Sequence, residues 1–183
     1  MSPILGTLAS QFSGKPFGSF ESIATVTVGA GGSSSVSFTS IPSTYTHLQI
    51  RCLAKDTTAG STFQNFKMTI NGNTMTRRHF LFADGASVAA GSSTTNLAIG
   101  NIPAAGFTSI FGAVIIDILD YANTNKNKTI RSLGGTDANG SGELAFYSAL
   151  YAVNTNAITN LSFSADSNLA QYTQIALYGI KGA

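Results

Sequence analysis

Charge is scarce in this chain. Ten Lys or Arg and eight Asp or Glu make up 10% of its 183 residues, against roughly 25% in ordinary soluble domains. Polarity rests instead on Ser, Thr, Asn and Gly, a pattern that suits a rigid β-protein whose surface is largely covered by other subunits. The formal net charge is only +2. Two small basic groups exist, Arg77-Arg78-His79 and the looser Lys126, Lys128 and Arg131. Neither has the density or the interleaved aromatics of a nucleic-acid footprint, and both are expected to be solvent-facing strand or loop positions. No nucleic-acid partner is expected.

Cysteine is nearly absent as well. Cys52 is the only one, so an intrachain disulfide is excluded. In "HLQIRCL" it alternates in phase with Leu48 and Ile50, which makes it a buried strand residue. Tryptophan is missing altogether, which weakens a sugar-stacking cleft, although Tyr147, Tyr151, Tyr172 and Tyr178 could substitute. No apolar run reaches the roughly 18 residues of a membrane-spanning helix, so no membrane partner is expected. The opening "MSPILGTLASQFSGKPFGSF" has no basic n-region, and Gly6 and Thr7 break its apolar stretch. It makes a poor secretory signal, and synthesis in a cytoplasm is expected.

The residues that usually carry catalysis are equally thin. The histidines, His47 and His79, stand 32 positions apart without metal-ligand spacing. Asp117 and Asp120 in "DILD" fall on opposite sides of a strand. "GAGG" at 29–32 lacks the spacing, the Lys and the following helix of a phosphate loop. No G-x-S-x-G occurs, and no acidic pair stands out for glycoside hydrolysis. Asp137, Asn139 and Glu143 could offer oxygens to calcium from a turn, but without EF-hand length or ligand density. We expect no enzyme, no cofactor and no bound metal.

What is present is strand after strand. "SIATVTV", "VSF" and "HLQIRCLA" are β-branched or alternating, with Gly, Ser and Pro between them. "NFKMTING" ends at Asn71-Gly72, a hairpin signal, with "TMTRRHFLFADG" as the expected return strand. "TTNLAIG" is a short strand. "SIFGAVIIDIL" reads as a central strand covered on both faces. "KTIRSLGGTD", "ELAFYSALYAV", "ITNLSFSAD" and "YTQIALYGI" complete the series. "ELAFYSALYAV" is helix-capable by composition, yet Phe146, Tyr147, Tyr151 and Val153 favour a strand. About nine to eleven short strands with polar turns predict an all-β, antiparallel, jelly-roll-like β-sandwich over residues 21–183.

Residues 1–20 differ. Ile4, Leu5, Leu8, Phe12, Phe17 and Phe20 are spaced by Gly, Ser and Pro with no helical or strand period. Such a stretch is too apolar for a solvated tail and too sparse for a core of its own. We read it as an extended arm for assembly contacts, with those six residues burying against a neighbour; a lid folded back on its own domain is the alternative.

The stretch "SIATVTVGAGGSSSVSFTSIPSTYTHLQIR", together with "TINGNTMTRRHFLFADGAS" and the terminal "ALYGIKG", resembles a group of small virion proteins of tailed bacteriophages. The likeness centres on residues 22–51. It implies a non-enzymatic structural protein at the virion surface, partnered by a major capsid or tail protein and expected as a homotrimer made in the bacterial host cytoplasm. The arm and the compact length favour a capsid decoration or cement protein. A tail-fibre, fibre-tip or adaptor protein for host recognition is the alternative. In that role it could bind a host surface glycan through the turns around Tyr121–Asn127 and Asp137–Glu143.

Overall fold

The computed structural model describes residues 19–182 except Ser61 and Asn96. Arm residues Ile4, Leu5, Leu8, Phe12 and Phe17 lie outside the described residues.

Thirteen strands occur among the described residues, and no helix. In chain order they are β1 (Phe20–Thr27), β2 (Val36–Phe38), β3 (His47–Ala54), β4 (Phe63–Ile70), β5 (Asn73–Thr74), β6 (Arg77–Ala83) and β7 (Val88–Ser93). Then come β8 (Ala98–Pro103), β9 (Gly112–Ile118), β10 (Lys128–Asp137), β11 (Gly142–Tyr151), β12 (Leu161–Ser164) and β13 (Gln174–Ile180). One sheet runs β1-β13-β3-β9-β10-β11-β6-β7; the other runs β2-β12-β4-β5, with β8 also paired to β4. All the strand pairings are antiparallel. The molecule is an all-β, sandwich-like pair of antiparallel sheets.

The core lies between the sheets. Leu48, Ile50 and Cys52 of β3 and Val114, Ile116 and Ile118 of β9 face inward and are nearly inaccessible. Leu161 and Phe163 of β12 meet them from the smaller sheet. The Phe163 ring stacks on Phe66 at 5.8 Å and sets its edge against Phe38 at 6.1 Å. Such pairs contribute roughly 0.5–1.5 kcal/mol beyond their buried area. The period-2 reading of these strands therefore matches the burial observed.

β11 is a strand along its whole length, as its aromatics favour. Ala145, Tyr147, Ala149 and Tyr151 alternate inward, while Leu144, Phe146 and Leu150 face out. Pairing to β10 on one side and β6 on the other satisfies its backbone.

Several expectations need correction. The Asn71-Gly72 turn forms, with positive φ at both residues (48° and 79°), the backbone a two-residue hairpin turn requires. Its return strand is only β5, however. Met75 is buried, and Thr76 bonds through both its backbone N–H and its hydroxyl to the Leu150 carbonyl. These contacts carry the chain to the other sheet, so "RRHFLFA" becomes β6, beside β11. β9 is central, but one face is open: Ile115 is 43% exposed. β7 escaped notice because "VAAGSS" has neither β-branched density nor apolar alternation; it exists through pairing to β6. Phe20 belongs to β1 and not to an arm, paired with Ile180. Its ring stacks on Tyr178 at 4.8 Å, with the Arg51 guanidinium 5.0 Å from the Phe20 ring centre.

Two basic residues expected in solvent are buried. Strand alternation turns Arg77 and His79 outward but sends Arg78 inward, to 7% exposure. Lys128 is 1% exposed; its ammonium donates to the carbonyls of Asn123, Lys126 (3.0 Å) and Thr155 (3.1 Å). Burial lowers its pKa, Lys126 adds to that, and Asp120 opposes it. Three carbonyls stand in for water, so this lysine clasps the turn after β9 to the segment after β11.

Candidate functional site: the outer face of the large sheet

The strands that build the core also build the opposite face of the eight-stranded sheet. In the register, Arg51 opposes Ile115, Ile115 opposes Leu133, Leu133 opposes Phe146, Phe146 opposes Leu81 and Leu81 opposes Ala90. Ile115, Leu133, Phe146 and Leu81 are 43%, 48%, 44% and 52% exposed. Two residues along, a parallel row runs Leu53, Ala113, Gly135, Leu144, Ala83 and Val88. Leu53, Leu144 and Val88 of this row are exposed.

The two rows cross six strands, a width of roughly 24 Å at about 4.8 Å per strand. Arg51 is their only charged residue. On the other side of the Ile115 row lies a polar one: Gln49, Asp117, Arg131, Ser148, His79 and Ser92. Gln49 donates to Asp117 at 2.9 Å, and Arg131 approaches the same carboxylate at 3.6 Å. Single exposed leucines are ordinary, but a continuous apolar strip with a polar border marks an interaction surface.

The other residues weighed from the sequence fall elsewhere. Asp137 faces outward and Glu143 inward across the β10–β11 pair, and the Asp137 carboxylate already accepts the Asn139 backbone N–H at 2.9 Å. Those two carboxylates do not converge. Among the described residues, no three His, Cys, Asp or Glu side chains gather as a metal site would require. His47 accepts the backbone N–H of Asp120 through Nδ1 at 2.9 Å, while the Asp120 carboxylate pairs with Lys126. Tyr121 is inaccessible and donates to the Pro42 carbonyl, so it offers no stacking platform in its turn. Tyr147 and Tyr151 are core residues; Tyr172 is 68% exposed.

The outer strip itself was hidden from sequence reading because each strand contributes only one or two of its residues. A signal was available in Leu133, Leu144, Phe146 and Leu150, apolar residues on the face opposite to the core phase.

Fold and surface together define a β-sandwich with one apolar sheet face left open within the single chain. No known protein family, no curated protein and no solved structure matches the chain.

Proposed function

We propose that this chain is a non-enzymatic structural subunit of a tailed-phage virion, placed on the capsid surface as a decoration or cement protein. It works there as a homotrimer. The observation that carries the reading is the two-row apolar strip from Leu53 and Ile115 to Val88 and Ala90, a surface that needs a protein partner. Low charge over the whole chain points the same way, and the resemblance through residues 22–51 supplies the virion. The arm, ending before Phe20, adds Ile4, Leu5, Leu8, Phe12 and Phe17 as further apolar side chains for docking. Buried apolar area contributes roughly 25 cal/mol per Å2 before ordering costs are subtracted. A jelly-roll arrangement is part of the same proposal. It is supported by the way the chain passes repeatedly between the sheets and by the pairing of β1 with β13.

Immunogold labelling of intact virions with antibody against residues 21–183 tests this reading. Label over the head is the expected result. Label confined to the tail tip replaces the capsid role with the tail-fibre or adaptor one. Particles without label overturn the virion assignment.

A further inference from the structure

Three segments meet at one end of the sandwich: residues 55–60 after β3, residues 104–111 before β9 and residues 165–173 before β13. Asp56 ties them together from inside. It is inaccessible, and its carboxylate accepts the backbone N–H groups of Thr58 and of Ser167, the latter at 2.8 Å. Backbone N–H groups of Thr57, Ala105 and Ala170 donate to the carbonyls of Asn168, Thr58 and Lys55 at 2.9, 2.9 and 2.8 Å. The Lys55 ammonium donates to the Phe107 carbonyl. So many cross-links hold open a preformed cleft of about 520 Å3, inside the roughly 300–1,000 Å3 of small-molecule sites.

Tyr172 stands at the lip of this cleft. It is 68% exposed, so its ring buries little, and its φ is +71°. Among the described non-glycine residues with positive φ it is the aromatic one, and Ser109, at +58°, lines the same cleft. Glycine or asparagine takes this backbone more readily, so folding by itself gives no reason for a tyrosine here. The backbone is nevertheless fixed: the Tyr172 N–H donates to the Val28 carbonyl at 2.9 Å, and the Thr173 N–H to the Ala170 carbonyl at 3.1 Å. Bulky residues held in this conformation gather where ligands are gripped.

The rest of the lining defines the ligand. Phe111 adds a half-buried ring, and Thr57, Ser109 and Gln171 are exposed polar residues around it. Charge is withheld. Asp56 is committed to backbone N–H groups, and Lys55 is 8% exposed with its ammonium turned to the Phe107 carbonyl, 5.9 Å from the centre of the Phe111 ring. We propose that this cleft binds a neutral saccharide, one pyranose ring stacking its C–H face on Tyr172. The sugar hydroxyls exchange hydrogen bonds with the Thr57 and Ser109 hydroxyls and the Gln171 amide. A charged ligand finds no open counter-charge here, and a purely apolar one leaves those polar groups unpaired. The inference is independent of the outer face and of where the protein sits.

The test uses the full chain, labelled with nitrogen-15, titrated with the methyl glycosides of glucose, galactose, mannose and N-acetylglucosamine. We expect at least one to bind in the millimolar range, with amide shifts confined to residues 55–58, 105–111 and 170–173. Tyr172→Phe keeps the ring and should bind as the parent does. Tyr172→Asn removes the ring with a side chain suited to the backbone; it should weaken binding about tenfold while Tm holds or rises. The outer-face double variant Leu133→Lys with Phe146→Glu should bind normally. Absence of shifts with all four glycosides, shifts mapping elsewhere, or Tyr172→Asn binding like the parent overturns the proposal. So does a fall in Tm for Tyr172→Asn, which would give the ring a packing role instead.

Discussion

The Tyr45 ring lies so close over Gly179 that a methyl group at that position would fall within the ring. Gly179 sits in β13 between β1 and β3. The Tyr45 hydroxyl donates to Glu21 at 3.0 Å, and Lys181 pairs with the other oxygen of that carboxylate at 2.8 Å. Ring and ion pair thus close over the terminal strands. Gly179→Ala should destabilise the fold by about 1–3 kcal/mol, the usual range for overpacking. Urea denaturation measures it, and pairing with Tyr45→Ala should return much of the loss by removing the clash. Equal stability of Gly179→Ala and the parent would show that the ring moves aside freely.

The outer strip predicts a separation between folding and association. Leu133 and Phe146 are direct cross-strand partners on the exposed side. Leu133→Lys with Phe146→Glu places opposite charges face to face, an arrangement strands tolerate. Stability should change by no more than about 0.5 kcal/mol, while self-association and particle binding are lost. Light scattering after size-exclusion chromatography, beside a thermal melt, reads both. A double variant that assembles normally would remove the strip from the interface.

Glu143 predicts a pH-dependent gain in stability. Burial raises its carboxyl above the ordinary range; the Asn101 hydrogen bond opposes this and Asp84 reinforces it. The folded state therefore holds the proton to higher pH than the unfolded chain, whose glutamates titrate at about 4.3. The associated stability is fully present below that value and is lost as pH rises through the folded value. Glu143→Gln should accordingly raise Tm at about pH 7 and leave it nearly unchanged below about pH 4. A gain of equal size at both would point to a cause other than ionisation.

Cys52 should be inert while the protein is folded. It is buried between β13 and β9, and burial pushes its thiol far above the ordinary range, which removes the reactive thiolate. A chromogenic disulfide reagent at mildly alkaline pH should release no signal until denaturant is added. Rapid labelling of the native protein would mean that this part of the core opens locally.

Much of the architecture was legible in the chain itself. The inward phase of Leu48, Ile50 and Cys52, and of Val114, Ile116 and Ile118, is a period-2 pattern. Any sheet that buries one face must respect it, so the sequence alone determined an all-β chain and most of its core. Asn71-Gly72 likewise determined a tight turn, because few other residues accept its backbone. Partner choice was decided elsewhere. Whether "TRRHFLFA" returned beside β4 or crossed to β11 depended on burial of the adjacent Met75 against the core and on the Leu150 carbonyl, which is remote in sequence. β7 exists only because β6 presents an edge to it. The same holds for the surfaces that matter: Ile115, Leu133, Phe146 and Leu81 come from four strands, and Thr57, Phe111 and Tyr172 from three separate segments. Local residues set the alternation within each strand, but the register between strands assembles these rows and clefts, and register is a property of the folded sheet.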